Sequence, residues 1–180
     1  MSNFDKAVLE KRISKFLDNV RSYSSNDNGY CACLRRSAGV LMRNADGKAI
    51  VCFYKACFPG ISHDNYLIDR YFFAACVQCM WNVEDLERAV PIECCARGLD
   101  ENSRNVVGKR LESLLDLDWD NDGYLAVKLL RLIKFCKSKG IVVNCKSLLF
   151  DLVFWNSESR VVQKKWIREF YNFSYVKKEE

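Results

Sequence analysis

Apolar residues recur along this chain at helical rather than alternating intervals. Phe4, Val8, Ile13, Leu17 and Val20 lie close to a period of about 3.6 and predict a first helix over residues 4–20. Ser22 to Gly29 is polar and turn-forming and reads as a loop. A second helix is expected from Cys31 to about Met42. Asn44-Ala45-Asp46-Gly47 reads as a turn, with Asp46 a candidate N-cap for a helix over residues 49–57. Phe58 to Asn65 holds one Pro and one Gly and predicts a loop. Tyr66 to Trp81 is apolar almost all round, the pattern of a buried helix.

The second half repeats this style. Ser103 is the expected cap of a helix over residues 104–115, and Asp118 to Asp122 is an acidic turn. Residues 123–137 predict a helix with Leu125, Leu129, Leu132 and Ile133 on one side, closed by Ser138-Lys139-Gly140. Asn144 and Ser157 are expected to cap helices over residues 145–155 and 158–173. Ile141-Val142-Val143 is too short to seed a sheet, and Lys177 to Glu180 reads as a fraying tail. The expected fold is all-α, a single-chain bundle of two small packed helical halves with about eight to nine helices. Residues 82–103, irregular and holding Pro91 and Gly98, mark the junction, giving halves at 1–92 and 93–180.

Composition sharpens this picture. The chain has 180 residues, with only eight glycines and two prolines, too few breakers for a many-turned β-sandwich or propeller. Ten cysteines would suggest disulfides in an exported chain, but residues 1–15 are charged and amphipathic and contain no apolar signal core. No apolar run is long enough to span a membrane. The chain is therefore read as cytoplasmic, with reduced thiols and no membrane partner.

Most candidate chemistry fails on spacing. Asp118-Trp119-Asp120-Asn121-Asp122-Gly123 matches the first half of a calcium loop, but the position that needs a bidentate acid is Leu129. The same acids suit a turn that caps the next helix. Cys76-Val77-Gln78-Cys79 is a CxxC pair set in an apolar helix, where cysteines pack as small hydrophobes rather than hold zinc. His63 is the only histidine and sits in a loop, which leaves any Cys–His or Ser–His–Asp arrangement resting on one turn residue. No nucleotide-cradling glycine loop is present. The reading is of a chain without catalysis, cofactor, metal or small-molecule substrate.

Charge is more informative by position than by sum. The net charge is +5, and residues 123–139 alone hold Lys128, Arg131, Lys134, Lys137 and Lys139 with no acid. Lys128, Arg131 and Lys134 step by three and share a broad side of that helix. Arg104 and Lys109-Arg110 lie on the preceding helix, Arg35-Arg36 on the second, and Arg43 and Lys55 follow. Acids gather at Glu112, Asp116, Asp118, Asp120 and Asp122. Such segregation suits a face that tracks a phosphate backbone, and it equally suits a solvated helix face. Aromatics such as Phe53-Tyr54, Tyr71-Phe72-Phe73, Trp166, Phe170 and Phe173 have helical spacing and read as core.

Several pieces follow one another in a familiar order. Leu34-Arg35-Arg36-Ser37-Ala38-Gly39, Phe53-Tyr54, Tyr71 to Cys76, Gly98 to Leu115, Leu129 to Ile133, and Ser147 to Leu152 with Trp155 and Trp166 together resemble the CasB small-subunit family of the type I-E CRISPR Cascade. The resemblance spans about residues 5–173. It implies an all-helical fold of two halves and no catalytic activity. It implies DNA, guide RNA, other Cascade subunits and a second copy of the chain as partners. It also implies basic contacts to the guide–target region and the displaced strand of the R-loop. Carried over by position, the nucleic-acid-binding residues are Arg35, Arg36, Lys109, Arg110, Lys128 and Arg131. The chain departs from the family pattern at Asn144-Cys145, at Leu111 and in the loop with His63 and Asp64. A helical adaptor that binds an acidic protein is the alternative.

Overall fold

The computed structural model describes residues 3–62, 67–120 and 122–176, so His63 and Asp64 lie outside the described residues, as does the tail at 177–180. Among them are eight α-helices of nine or more residues, one single-turn helix and no strand. They are α1 (Asn3–Asn26), α2 (Asn28–Arg36), α3 (Gly47–Ala56), the short α4 (Pro59–Ser62), α5 (Ile68–Gln78), α6 (Glu101–Leu115), α7 (Tyr124–Ser138), α8 (Cys145–Val153) and α9 (Val161–Val176). The all-α expectation holds. None of the described helices is long and apolar enough to cross a membrane.

The expected loop at residues 22–29 is mostly helix. Ser24, Ser25 and Asn26 donate to the carbonyls of Val20, Arg21 and Ser22, so polar side chains that could have broken α1 bond back onto it instead. Asp27 ends the run, its carboxylate accepting from the Gly29 and Tyr30 amides at 2.8 and 3.2 Å to start α2. The second helix stops at Arg36, short of the expected Met42, and Gly39 follows with φ 84°. Asp46 and Asn144 cap α3 and α8 as expected, through Ala49 N at 2.9 Å and Ser147 N at 3.0 Å. The cap of α6 is Asp100 rather than Ser103, which sits three residues inside and donates its amide to Asp100 at 2.9 Å. The last helix begins at Val161, not Glu158, after Arg160 adopts φ 50°.

At the centre lies α5, with every residue from Arg70 to Trp81 buried. It packs against α8, α1, α2 and α7. Its polar side chains act as clamps: Arg70 Nε donates to Leu152 O on α8 at 2.9 Å, and Gln78 Nε2 to Leu17 O on α1 at 2.8 Å. Of the expected core aromatics whose side chains are described, Tyr54 is exposed and Phe53, Tyr71, Phe72, Phe73, Trp166 and Phe170 are buried, while the side chain of Phe173 lies outside the description.

The expected junction at residues 82–103 holds two 3-10 turns, Glu84–Arg88 and Ile92–Cys94, and its last three residues already belong to α6. Between them Val90 makes one parallel bridge to Val143, donating to Val142 O at 2.9 Å and accepting from Asn144 N at 2.8 Å. Ile141-Val142-Val143 thus contributes a single bridge and no sheet. Helices from before and after the junction interlock, since α1 and α5 both pack on α8 and one apolar core runs through residues on both sides.

Candidate nucleic-acid interface

The sequence of α7 divides the helix cleanly. Leu125, Ala126, Leu129, Leu132, Ile133 and Cys136 are buried, while Tyr124, Val127, Arg131 and Lys134 are exposed and Lys128 and Phe135 half-buried. Leu-rich composition favours the helix, and the apolar stripe fixes which side faces the core. The charged side is thereby forced outward, against the flank of α6.

Between α6 and α7 runs an open groove of about 530 Å³ lined by Arg110, Ser113, Lys128, Arg131, Lys134 and Phe135. Four of those six residues are cations and none is an acid. Arg110 is fixed in place. Its Nη1 donates to the Arg131 carbonyl at 2.8 Å, and its guanidinium lies 4.7 Å from the centre of the Phe135 ring. Lys139 Nζ approaches the same ring at 5.7 Å. Lys128 Nζ lies 5.0 Å from the Tyr124 ring one turn earlier. Aromatic faces hold these cations without neutralising them. Like charges three residues apart on a helix each cost about 0.2–0.5 kcal/mol, a cost that a bound anion removes. The groove is therefore a cationic surface open to solvent.

Of the six residues expected from sequence, Arg110, Lys128 and Arg131 meet in this groove and three do not. Lys109 is exposed but points away from it, as the residue next to Arg110 on a helix must. Arg35 donates Nε to the Cys79 carbonyl at 3.0 Å at the end of α5, and Lys137 donates to the adjacent Met80 carbonyl. Together they satisfy terminal carbonyls of a buried helix and suit its dipole. Burial, and secondly the charge of Arg35, pulls the Lys137 ammonium below the ordinary lysine range. Arg36 bonds back to Ala32 O at 3.2 Å and lines a separate hollow with Lys48, Lys55, Asp27 and Asp46. Lys134, on the same helix side by its step of three from Arg131 but outside the residues carried over from the family, also lines the groove. Ser113 and Phe135 complete the lining and carry no signal in the sequence that would have named them.

The acidic turn before α7 is organised by its own backbone. Asp120 Oδ1 accepts from Asp122 N at 3.0 Å and Gly123 N at 3.2 Å, and Gly123, with φ 71°, starts α7 without a side-chain cap. Asp118 pairs with Arg160 at 3.0 Å. Among the described residues, no three His, Cys, Asp or Glu side chains converge as metal ligands would.

Three comparisons bear on this arrangement. The family model of the CRISPR-associated protein Cse2 matches residues 32–171. A chain of a CRISPR RNA-guided surveillance complex superposes with a TM-score of 0.71 at 15% identity, covering 95% of this chain and 99% of that one. The crystal structure of M. ruber CasB superposes with a TM-score of 0.69 at 19% identity, covering 93% of this chain and 97% of the other. None of the curated proteins matches the chain by sequence.

Proposed function

Because the chain belongs to the CRISPR-associated Cse2 family, we propose that it is the non-catalytic small subunit of a type I-E Cascade surveillance complex. In this reading it binds nucleic acid without regard to sequence and stabilises the R-loop. Its halves, residues 1–92 and 93–180, act there as one body beside a second copy and the other Cascade subunits, in the cytoplasm. The observation that carries the reading is the α6–α7 groove, with four cations, no acid and one guanidinium held rigidly against an aromatic ring.

The mechanism is phosphate neutralisation. Arg131, Lys134 and Lys128 supply the mobile charges, and Arg110 a fixed one. The planar fork of an arginine can pair two phosphate oxygens at once. None of these groups reads a base edge, so sequence is left to guide–target pairing. Similarity in fold to a chain of an RNA-guided surveillance complex supports this placement.

Fluorescence anisotropy with single- and double-stranded DNA over a range of salt tests it. Arg131→Ala and Arg110→Ala are each expected to weaken binding equally for all sequences. Each lost phosphate contact should flatten the slope of log affinity against log salt by about 0.7 on single strands and 0.9 on duplex. Unchanged affinity and slope would remove the groove from the interface. No binding even at low salt would favour the adaptor for an acidic protein.

A further inference from the structure

The outward side of α7 carries rings as well as cations. Tyr124, Lys128, Arg131 and Phe135 stand at steps of four, three and four, so they follow one another along one face. Lys128, Arg131 and Phe135 line the α6–α7 groove. Tyr124 stands where α7 begins, its ring 5.0 Å from Lys128 Nζ. The two rings are placed differently. Phe135 is half-buried, with the Arg110 guanidinium and Lys139 Nζ both over it. Tyr124 is 52% exposed, and no aromatic among the described side chains is more so. Val127, one turn further along, is exposed as well. Trp119, in the turn before the helix, is instead buried against Phe73.

Charge at this end of the groove separates the parts of a nucleotide. Asp122, exposed two residues before Tyr124, opposes a phosphate, while Lys128 one turn after it attracts one. A base carries no net charge, and its π face can stack on an open ring whatever the sequence. A strand in the groove therefore sets its phosphates along Lys128, Arg131 and Lys134 and meets Tyr124 with a base. In a duplex the base faces are covered by neighbouring pairs, so only unpaired nucleotides can use the ring.

We propose that Tyr124 is a base-stacking residue and that it gives the α6–α7 groove a preference for unpaired over duplex nucleic acid. This rests on the reading of that groove as a nucleic-acid surface, and adds to it a contact that phosphate neutralisation does not supply. A ring accepts any base, so binding stays independent of sequence. Stacking releases no counterions, so Tyr124 adds affinity for unpaired strands without adding to the salt dependence that the cations set.

Anisotropy of the full chain with three probes of equal length tests the proposal: an oligothymidine strand, an abasic strand and a duplex. The unaltered chain should bind oligothymidine more tightly than the abasic strand, which has the same phosphates and no bases. Tyr124→Ala should lose about fivefold or more on oligothymidine, the least that one stacked base contributes, and change little on the other two probes. Its salt slope should stay that of the unaltered chain. Tyr124→Phe, which keeps the ring, should bind as the unaltered chain does. The position is exposed in the first turn of α7, where alanine favours the helix, so the variant keeps its fold. Arg131→Ala separates this proposal from the reading it rests on. Weaker binding of all three probes by Arg131→Ala, with none lost in Tyr124→Ala, would overturn the stacking residue and leave the groove in place. No effect of either variant would overturn both. Equal loss on all three probes in Tyr124→Ala, or a Tyr124→Phe as weak as the alanine variant, would also overturn the proposal.

Discussion

Single residues in this fold settle matters that hydropathy leaves open, and Lys165 is the clearest. Its Nζ lies 2.9 Å from both Glu93 Oε1 and Asp151 Oδ2, and Trp166 Nε1 donates to the same Asp151 oxygen at 2.7 Å. Both acids are 4% exposed. Burial raises the Asp151 carboxyl in spite of these bonds. Burial also pulls Lys165 down, but the two carboxylates more than offset it, and the ammonium ends above the ordinary lysine range. Its stabilising effect is therefore complete below the usual lysine value and fades only as pH rises through the higher, folded one. Replacing Lys165 by Met strands two buried acids. Breaking a buried pair costs about 3–5 kcal/mol, and the third of Lys165 open to water argues for the lower end. Urea unfolding at pH 7 should show a loss of about 3 kcal/mol. The deficit should shrink as pH falls toward the carboxylate range, since protonated acids carry no stranded charge. A deficit independent of pH would mean that packing, not charge, is lost.

Among the elements, what was readable was whatever a helix encodes within itself. The apolar stripe of α7, the buried character of α5 and the caps Asp46 and Asn144 follow from local spacing. Boundaries set by competition were not readable. Ser103 and Asp100 are both good caps, and the chain uses the aspartate because three further residues can then join α6. Ser24 and its neighbours suit a loop or a helix, and the packing of α1 on α2 and α3 decides for the helix. One contact between elements was invisible in the sequence: Gly39, just past α2, lies against α7. It holds φ 84°, and a Cβ there would come within 2.7 Å of Leu130 Cδ2. Gly39→Ala combines a left-handed conformation, costing about 1–2 kcal/mol, with a clash against a buried leucine. We expect a fall in stability of at least about 2 kcal/mol and a lower thermal midpoint by calorimetry. Leu130→Ala in the same background should recover the part due to the clash and leave the part due to φ, provided each is compared with its own Gly39 parent.

For the molecule as a whole, the charge pattern of α7 was legible because one helix period displays it, but its opposing wall was not. Nothing in the sequence says that α6 lies alongside α7, or that Arg110 spends one arm on a carbonyl of the facing helix. The same distinction explains Arg35, which carries charge in the sequence and a capping role in the structure. Distribution of charge over the molecule leads to a further expectation. Asp116 stands one turn beyond the groove residue Ser113, and Asp122 lies just before α7; both are exposed. At physiological salt a charge acts over about 8 Å, so these acids oppose an approaching phosphate chain at one end of the groove without touching it inside. Asp116→Asn combined with Asp122→Asn should speed DNA association and raise affinity at low salt, with the gain vanishing as salt is added. The slope of log affinity against log salt should steepen only slightly, far short of the change of about 0.9 that one added or lost duplex phosphate contact brings. Stability should change little, since the Asp116 carboxylate opposes the α6 dipole at its C-terminal end while the Asp122 carboxylate favours the α7 dipole at its N-terminal end, and the two effects offset. Stopped-flow association and equilibrium anisotropy separate the outcomes. A faster approach with a nearly constant slope fits long-range repulsion at the groove's mouth, while an unchanged rate would place the path of the nucleic acid away from this end of α7.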